Sequence, residues 1–409
     1  MHFKRKDKYF YFFIFPIILP IILWISSTAI GGNPEGVYYG SENTNIFWFV
    51  LISDTHVGNP FTVKDRKHIN QFLSEIDIIN PEIIIATGDL TDHSRCNPIT
   101  GGKPCNHIRE WNEYRLLFIN RGGMTIDIYS DAPGNHDQYW NDEPLTLYIS
   151  KSVQGRATSQ TQRSWVYMPV FGKYHFINIA TPHPDYTVPF FDWLAGNPAE
   201  LGEDEINFIE GELNSHNDAN LTFIFGHHYI DSLIVGKDDF ISLLRNYKVS
   251  LYGYGHTHNY AANIRNNLLN LNVASLWDSS HYAIVAVDND GISVTPAVID
   301  QWPVVLITAP IDKNLGGTNP YTYKIPFSIC NPIRALVFDE SQVTQVQYRI
   351  DGKDEWYSMS KVRLIGGSNS YLWETKEWDT TLLGQGDHTL EVRAIGSTIR
   401  SDIIKFEMN

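Results

Sequence analysis

The chain predicts a layered α/β domain over residues 45–300, β-sheets flanked by helices, followed by an all-β sandwich over residues 303–409. Three observations carry that expectation. Up to about residue 300, short apolar runs alternate with stretches of helical spacing, the order from which α/β sheets are built. Beyond Pro303 the pattern changes: Gln345–Ile350 and Thr389–Ala394 alternate polar with apolar residues, and no helix-period segment of useful length appears. The composition supplies the material for both units: 43% of residues are apolar and 13% aromatic against 19% charged, which excludes a disordered or fibrous chain. The length of 409 residues also exceeds one average domain and fits two to three folding units.

Residues 1–30 stand apart. Lys4, Arg5, Lys6 and Lys8 precede a stretch from Tyr9 to Pro34 without a charged side chain, and the run from Phe10 to Ile25 is densely apolar. At about 1.5 Å per residue, Tyr9 to Ile30 is long enough to cross a bilayer. Ser27-Thr28-Ala29 would serve as a small-residue cleavage site, so the segment reads as an uncleaved anchor or, if cut, as a secretory signal. Length favours the anchor. The basic flank keeps the N-terminus cytoplasmic and sends everything after it outside the cytoplasm or into a lumen, membrane-attached, or secreted if the segment is removed.

From Asn45 the chain repeats one device, an apolar strand that ends abruptly in Gly, Asp, Asn or His. Ile46–Ile52 runs into Asp54-Thr55-His56, and Ile83–Ala86 into Gly88-Asp89-Leu90-Thr91-Asp92. A third strand around Ile126–Tyr129 leads to Gly134-Asn135-His136-Asp137. Leu221–Phe225 leads to Gly226-His227-His228, and Val249–Tyr252 to Gly255-His256-Thr257-His258. Helical spacing appears at Lys67–Ile79, Trp111–Ile119 and Asp204–Leu213. Ligands of α/β sheets bind beyond the carboxyl ends of the strands, so the five motifs should gather on one edge.

The gathered residues limit the chemistry. Asp54, His56, Asp89, Asn135, His227, His256 and His258 offer two carboxylates, one amide oxygen and four imidazoles, with no thiolate. Mixed oxygen and nitrogen donors suit Mn, Fe, Co or Zn. Seven donors exceed one tetrahedral ion and suit two divalent ions sharing a carboxylate, the arrangement that clamps both ends of a phosphoryl displacement.

In its ordered motifs D-x-H, G-D-x-x-D, G-N-H-D, G-H and G-H-x-H, the stretch from Phe47 to Val298 resembles the calcineurin-like metallophosphoesterase superfamily. The resemblance implies that Asp54, His56 and His258 hold one metal, that Asp89 bridges, and that Asn135, His227 and His256 hold the other. It implies that His136, oriented by Asp92, donates a proton to the leaving oxygen, and that a metal-bridging hydroxide is the nucleophile. The tyrosine ligand of purple acid phosphatases has no counterpart in Gly88–Asp92, which disfavours that subclass. The order of membrane segment, phosphoesterase domain and immunoglobulin-like domain is similar to the Transmembrane protein 62 group. That likeness rests on Gly88–Asp92, Glu110-Trp111, Gly134–Asp137 and Pro303–Thr308, and the chain is expected to lack the group's further membrane helices.

Other residues read as structural. His228 is expected beside the ligands or facing substrate, and His93 in a solvated loop. His68, His107, His175, His183, His216, His281 and His388 lack companions at ligand spacing. Cys96 and Cys105 bracket a Pro/Gly loop as either a short disulfide or two free thiols, and Cys330 is expected to be buried. Tyr186, Phe190, Phe191 and Trp193 lie in an aromatic-rich section that forms either a wall of the substrate pocket or an ordinary packed loop. In the tail, Gln345–Ile350 ends in the turn pair Asp351-Gly352, and Thr389–Ala394 alternates before Ile395-Gly396, as in a sandwich of immunoglobulin-like size. Asp379, Asp387 and His388 are expected there as surface groups.

The function these readings support is hydrolysis of a phosphomonoester or phosphodiester by a membrane-anchored, dinuclear-metal enzyme. A small phosphoester is the expected substrate, with a lipid headgroup or nucleotide as candidates. The net charge of −15 disfavours duplex nucleic acid as a partner. The competing reading, a non-catalytic scaffold of the same fold, would show eroded ligands, and none of the seven is eroded.

Overall fold

A computed structural model describes residues 36–37, 45–59, 64–93, 107–140 and 145–408. The expected membrane segment and the Cys96–Cys105 loop lie outside the described residues. Among the described residues no helix is long and apolar enough to cross a membrane.

Strand Ile46–Ile52 organises the first sheet. Its residues are apolar throughout because both faces are covered: Phe47, Phe49 and Leu51 enter one core, and Trp48, Val50 and Ile52 enter another. Parallel strands Ile84–Ala86 and Tyr129–Asp131 extend the sheet on one side, and antiparallel strands His281–Asp288 and Gly291–Val298 on the other. The second sheet runs in the order Ala261–Arg265, Leu268–Asn272, Leu251–Tyr254, Leu221–Phe225, Tyr174–Asn178, Arg163–Tyr167, with its four central strands parallel. The two sheets share the core built on Phe47, Phe49 and Leu51. There Phe49 meets the rings of Phe176 and Phe223 with centroids 5.3 and 5.5 Å away. Helices Glu203–Ser215 and Lys237–Asn246 cover the outer face of the second sheet.

The sequence periods locate these elements to within a few residues. The third strand is displaced from Ile126–Tyr129 to Tyr129–Asp131, because the Thr125 carbonyl accepts the N–H groups of Ile128 and Tyr129 and folds residues 126–128 into a turn. The fifth starts at Leu251, since Val249 N–H still closes onto Leu244 at the end of the preceding helix. The helix expected at Lys67–Ile79 spans Lys64–Ile79, and that at Asp204–Leu213 spans Glu203–Ser215. The stretch Trp111–Ile119 is split between a helix at His107–Tyr114 and a widened π turn at Arg115–Arg121.

The last hundred residues form two four-stranded antiparallel sheets packed face to face. Asp351 and Gly352 both have positive φ, 52° and 63°, and Lys353 N–H closes on the Ile350 carbonyl at 3.1 Å, a tight turn. The partner strand resumes only at Tyr357, opposite Tyr348, so the hairpin loop is longer than two residues. Cys330 is exposed rather than buried, because it sits in the short loop before the Asn331–Phe338 strand. Asp387 is exposed as expected, whereas Asp379 and His388 are half-buried.

The sandwich is joined tightly to the α/β unit. Val304, Leu306, Leu336, Phe338 and Leu372 share one apolar cluster with Ile69, Phe72 and Ile76 of the helix Lys64–Ile79. The last carbonyls of that helix are satisfied from outside it. Ile78 O accepts from Gly367 N at 3.0 Å and Ser370 Oγ at 2.8 Å, and Ile79 O accepts from Trp48 Nε1 at 2.8 Å. A Cβ on Gly366 would stand 2.2 Å from the Ile78 carbonyl, so only glycine permits this approach. Arg334 reaches back from the sandwich to place Nε 2.9 Å and Nη2 2.8 Å from the two carboxylate oxygens of Asp288, which also accepts from Thr308 Oγ1 at 2.7 Å. Both partners are about 1% exposed. Arg334→Ala leaves the Asp288 charge buried beside neutral donors, Thr308 Oγ1 and Asn289 Nδ2, in place of a cation and should destabilise the fold by about 3–5 kcal/mol, read as a lower denaturant midpoint. Arg334→Met should cost much less of that stability if Asp288→Leu accompanies it, since the double change removes both charges.

Candidate metal centre

The five motifs meet beyond the carboxyl ends of strands from two sheets rather than along one sheet edge. Asp54, His56, Asp89, Asp92, Asn135 and His136 follow strands of the first sheet, and His227, His256 and His258 follow strands of the second. The loops are held in unusual backbone conformations. Asp54, His56, Asp89, His256 and His258 all have positive φ, between 42° and 68°. Left-handed backbone is uncommon for residues other than glycine and clusters at functional sites. Gly134 is required by close approach, since a Cβ there would lie 2.2 Å from Asp89 Oδ1.

Asp89 occupies the centre. Its Oδ2 lies 3.1 Å from His227 Nε2, 3.7 Å from His56 Nε2 and 3.9 Å from His136 Nε2. Its Oδ1 accepts the His136 N–H at 2.9 Å. On one side, Asp54 Oδ1 is 3.3 Å from His258 Nε2 and 3.8 Å from His56 Nε2, and the two imidazole Nε2 atoms are 3.3 Å apart. The other side brings His256 Nδ1 to 3.2 Å from His227 Nε2.

The outer nitrogen of each ring fixes which atom faces inward. His227 Nδ1 donates to the Thr87 carbonyl at 2.9 Å, His258 Nδ1 lies 3.1 Å from Asp278 Oδ2, and His56 Nδ1 lies 3.3 Å from Asp92 Oδ1. Asn135 is pinned in the same manner. Its amide nitrogen donates to Tyr139 Oη at 2.5 Å and Asp192 Oδ2 at 3.0 Å, and Tyr139 also donates to Asp192. The amide oxygen then points the other way, buried and without a hydrogen-bond partner among the described residues, as does Asp54 Oδ1. Buried oxygens and imidazole lone pairs converging with nothing to satisfy them are what divalent cations require. The residues therefore fit metal: Asp54, His56 and His258, and likewise His227, His228 and His256, bring ligating atoms within 4.8 Å of one another.

The electrostatics agree. Burial alone would raise the Asp54 carboxyl, yet His258, 3.3 Å away, and the other nearby imidazoles hold it down at about 2. Asp89 is likewise opposed by burial but kept well below its ordinary value by His227 and His136. Against the cost of burial, Asp89 raises His227 to about 9, and Asp54 raises His258 to about 10. His136 goes the other way, because burial and His56 outweigh the attraction of Asp89.

Residues 47–260 match the sequence model described as Calcineurin-like phosphoesterase. The chain belongs to this family. Over 371 residues it is 28% identical to Transmembrane protein 62 of Mus musculus, a match covering 88% of this chain and 55% of the relative. A metallophosphoesterase of Arabidopsis thaliana is 22% identical over 427 residues, covering 87% of this chain and 56% of that protein. The chain thus spans about half the length of these two relatives. A cyclic nucleotide phosphodiesterase, by its name, of Vesicomyosocius okutanii is 26% identical over 226 residues, covering 52% of this chain and 78% of that protein.

Several groups that hold the calcineurin-like phosphoesterase site together carry weak signals in sequence. Asp137, the last residue of Gly134–Asp137, accepts from Leu90 N, Thr91 N, Thr91 Oγ1 and Gly134 N at 2.8–3.1 Å and so binds two motif loops together. Burial, with Asp89 nearby, lifts its carboxyl to about 7. Asp192 has no motif at all: it stands among Phe190, Phe191 and Trp193, which are 58–68% exposed while Asp192 is 1% exposed. That half-and-half pattern identifies the aromatic section as a lip beside the site, tethered through Asp192 to Asn135. Trp277 and Asp278 reach His56 and His258 from the short helix Leu276–Ser279.

Three expectations are corrected. His93 is buried, not solvated, because Glu110 accepts its N–H at 3.0 Å and its ring packs against His107 with centroids 4.1 Å apart. His107, His175 and His216 do have companions at ligand distance, in the groups His93–His107–Glu110 and His175–Glu212–His216, which form only when distant segments fold together. Asp92 meets His136 chiefly through its main chain, whose carbonyl accepts from His136 Nδ1 at 2.5 Å, whereas its carboxylate lies closer to His56.

Proposed function

We propose that the chain is a dinuclear-metal phosphoesterase that hydrolyses a small phosphomonoester or phosphodiester at a membrane surface, outside the cytoplasm. The observation that carries this reading is the central Asp89 carboxylate with ligating groups on both sides of it. Asp54, His56 and His258 would hold one divalent ion with Asp89, and Asn135, His227 and His256 the other, drawn from Mn, Fe, Zn or Co. Such a pair supplies charge neutralisation for the phosphoryl oxygens and water acidic enough to attack near neutral pH.

The chain's own residues do the rest. His136, pinned through Nδ1 on Asp92, directs Nε2 into the site, where a proton held on that atom can pass to the leaving oxygen. His228 is a second donor. Thr181 Oγ1 accepts the N–H groups of His227 and His228 at 3.2 Å each, so its single proton goes to His228 Nδ1 at 2.8 Å. The proton of the His228 ring then sits on Nε2, which is buried and without a hydrogen-bond partner among the described residues, placed to donate to a phosphoryl oxygen. A lipid headgroup fits the neighbouring lip better than a freely soluble ester, since Phe190, Phe191, Trp193 and Leu194 present apolar side chains beside an anchored site. The N-terminal apolar segment would hold that lip near the bilayer, with the N-terminus cytoplasmic.

Metal-stripped protein should be inactive and regain hydrolysis of aryl phosphomonoesters or diesters on adding Mn, Co, Zn or Fe. Undiminished activity in the stripped form would remove the metal-dependent reading. Changing Phe190, Phe191 and Trp193 together to Ser should lower turnover of phospholipid in vesicles about tenfold or more while leaving soluble aryl ester turnover within about twofold. Equal loss on both substrates would sink the lipid preference.

A further inference from the structure

The group His175, Glu212 and His216 lies apart from the phosphoesterase centre, and its three side chains bring ligating atoms within 4.8 Å of one another. His175 is the second residue of strand Tyr174–Asn178 and pairs with Thr222. The catalytic cluster follows the other end of the neighbouring strand, at His227, so the rise along the strand separates the two groups by about 16 Å. Glu212 lies in the last turn of helix Glu203–Ser215 and His216 caps its end, with the His216 N–H still closing on the Glu212 carbonyl at 3.1 Å, so that the spacing of four brings the two side chains to one side.

Each ring has one nitrogen accounted for and one left over. His175 Nε2 is 2.8 Å from Ser164 Oγ, while its Nδ1 is buried with no hydrogen-bond partner among the described residues. His175 itself is 0% exposed. His216 Nε2 lies 3.8 Å from Glu212 Oε2, and His216 Nδ1 is again buried and unpartnered among the described residues. The two ring centroids are 4.5 Å apart. Two imidazoles pressed together, each with an unsatisfied buried nitrogen, waste hydrogen-bonding capacity unless a cation shares their lone pairs. The ammonium whose charge acts on His175, that of Lys173, does not occupy that role, because it is engaged by Asp218. The site also sits at a helix carboxyl end, where the backbone dipole favours positive charge.

We infer that His175, Glu212 and His216 form a separate binding site for one zinc-class divalent ion. Two imidazoles and a carboxylate give the donor set and number of a zinc site with one position left to solvent, and Ser164 orients the buried ring from behind. A bound ion ties the carboxyl end of the helix to strand Tyr174–Asn178, next to the edge of the second sheet, and so adds to the stability of the fold.

The test uses the full chain, stripped of metal and dialysed against Zn²⁺, with metal content read by elemental analysis. His216→Ala and Glu212→Gln should each retain one equivalent fewer than the parent, whatever number the Asp89-centred site holds, and should show a smaller Zn²⁺-dependent rise in thermal midpoint than the parent. Asp89→Asn should keep that equivalent, which separates this site from the catalytic one and from any failure of the phosphoesterase reading. Co²⁺ in place of Zn²⁺ should give the visible absorption of a tetrahedral site in Asp89→Asn and about tenfold less of it in Asp89→Asn/Glu212→Gln. Unchanged metal content and unchanged Zn²⁺-dependent stabilisation in both single variants overturn the proposal.

Discussion

Asp89→Asn is expected to abolish phosphoester hydrolysis, by at least about 10³-fold in kcat/KM, and to release at least one metal equivalent while the protein stays folded. The magnitude follows from position. Among the described residues, Asp89 is the one carboxylate within 4 Å of imidazoles from three motifs, His56, His136 and His227. Removing its charge takes away the anion that two closely spaced dications would share, and loss of about 4 kcal/mol at the transition state corresponds to that thousandfold fall. Folding is spared because the amide oxygen of asparagine can still accept the His136 N–H that Asp89 Oδ1 accepts at 2.9 Å. The measurement pairs kinetics under metal saturation with metal content after gel filtration. Wild-type metal content together with wild-type rate would mean that Asp89 does not lie between two ions.

What could be read from sequence, and what could not, divides along local and non-local lines. The strand ends were legible because each motif is contiguous and follows a run buried on both faces. In Ile46–Ile52 every residue is apolar because one face meets the second sheet and the other meets helix Lys64–Ile79 and the sandwich. Spacing says nothing, however, about which side chain a residue meets from another segment. His175 and His216 are 41 positions apart and become neighbours only through the packing of a helix on the second sheet. Asp192 was hidden among exposed aromatics because its function depends on one tether to Asn135, which no period reveals. His93 looked solvated from its polar neighbours, yet Glu110, itself packed against Gly58, closes over it.

His136→Ala is expected to separate proton donation from metal binding. His136 Nε2 faces the Asp89 carboxylate at 3.9 Å while Nδ1 is fixed on the Asp92 carbonyl, so the ring is aimed into the site without being one of the seven donors. Metal content should therefore stay at the wild-type level. An ester with a poorly leaving alkoxide needs a proton at the departing oxygen, and losing a positioned donor should lower its kcat about 10²- to 10⁴-fold. A nitrophenyl ester, whose leaving group departs as a stable anion, should fall less than about tenfold. The pH profile supplies an independent sign. Burial, with His56 adding to it, places the His136 imidazole below its ordinary range, so the protonated, donating form is lost as pH rises through that lowered value. Wild-type turnover of the alkyl ester should accordingly decline on the alkaline side of that transition, and His136→Ala should flatten the decline while leaving the metal-dependent acid limb in place. Asp92→Asn offers the matching control, because the main-chain carbonyl that holds His136 survives the change. Its loss on the alkyl ester should be smaller than that of His136→Ala, and a larger loss would show that the Asp92 carboxylate acts through His56, 3.3 Å away, rather than by orienting the donor.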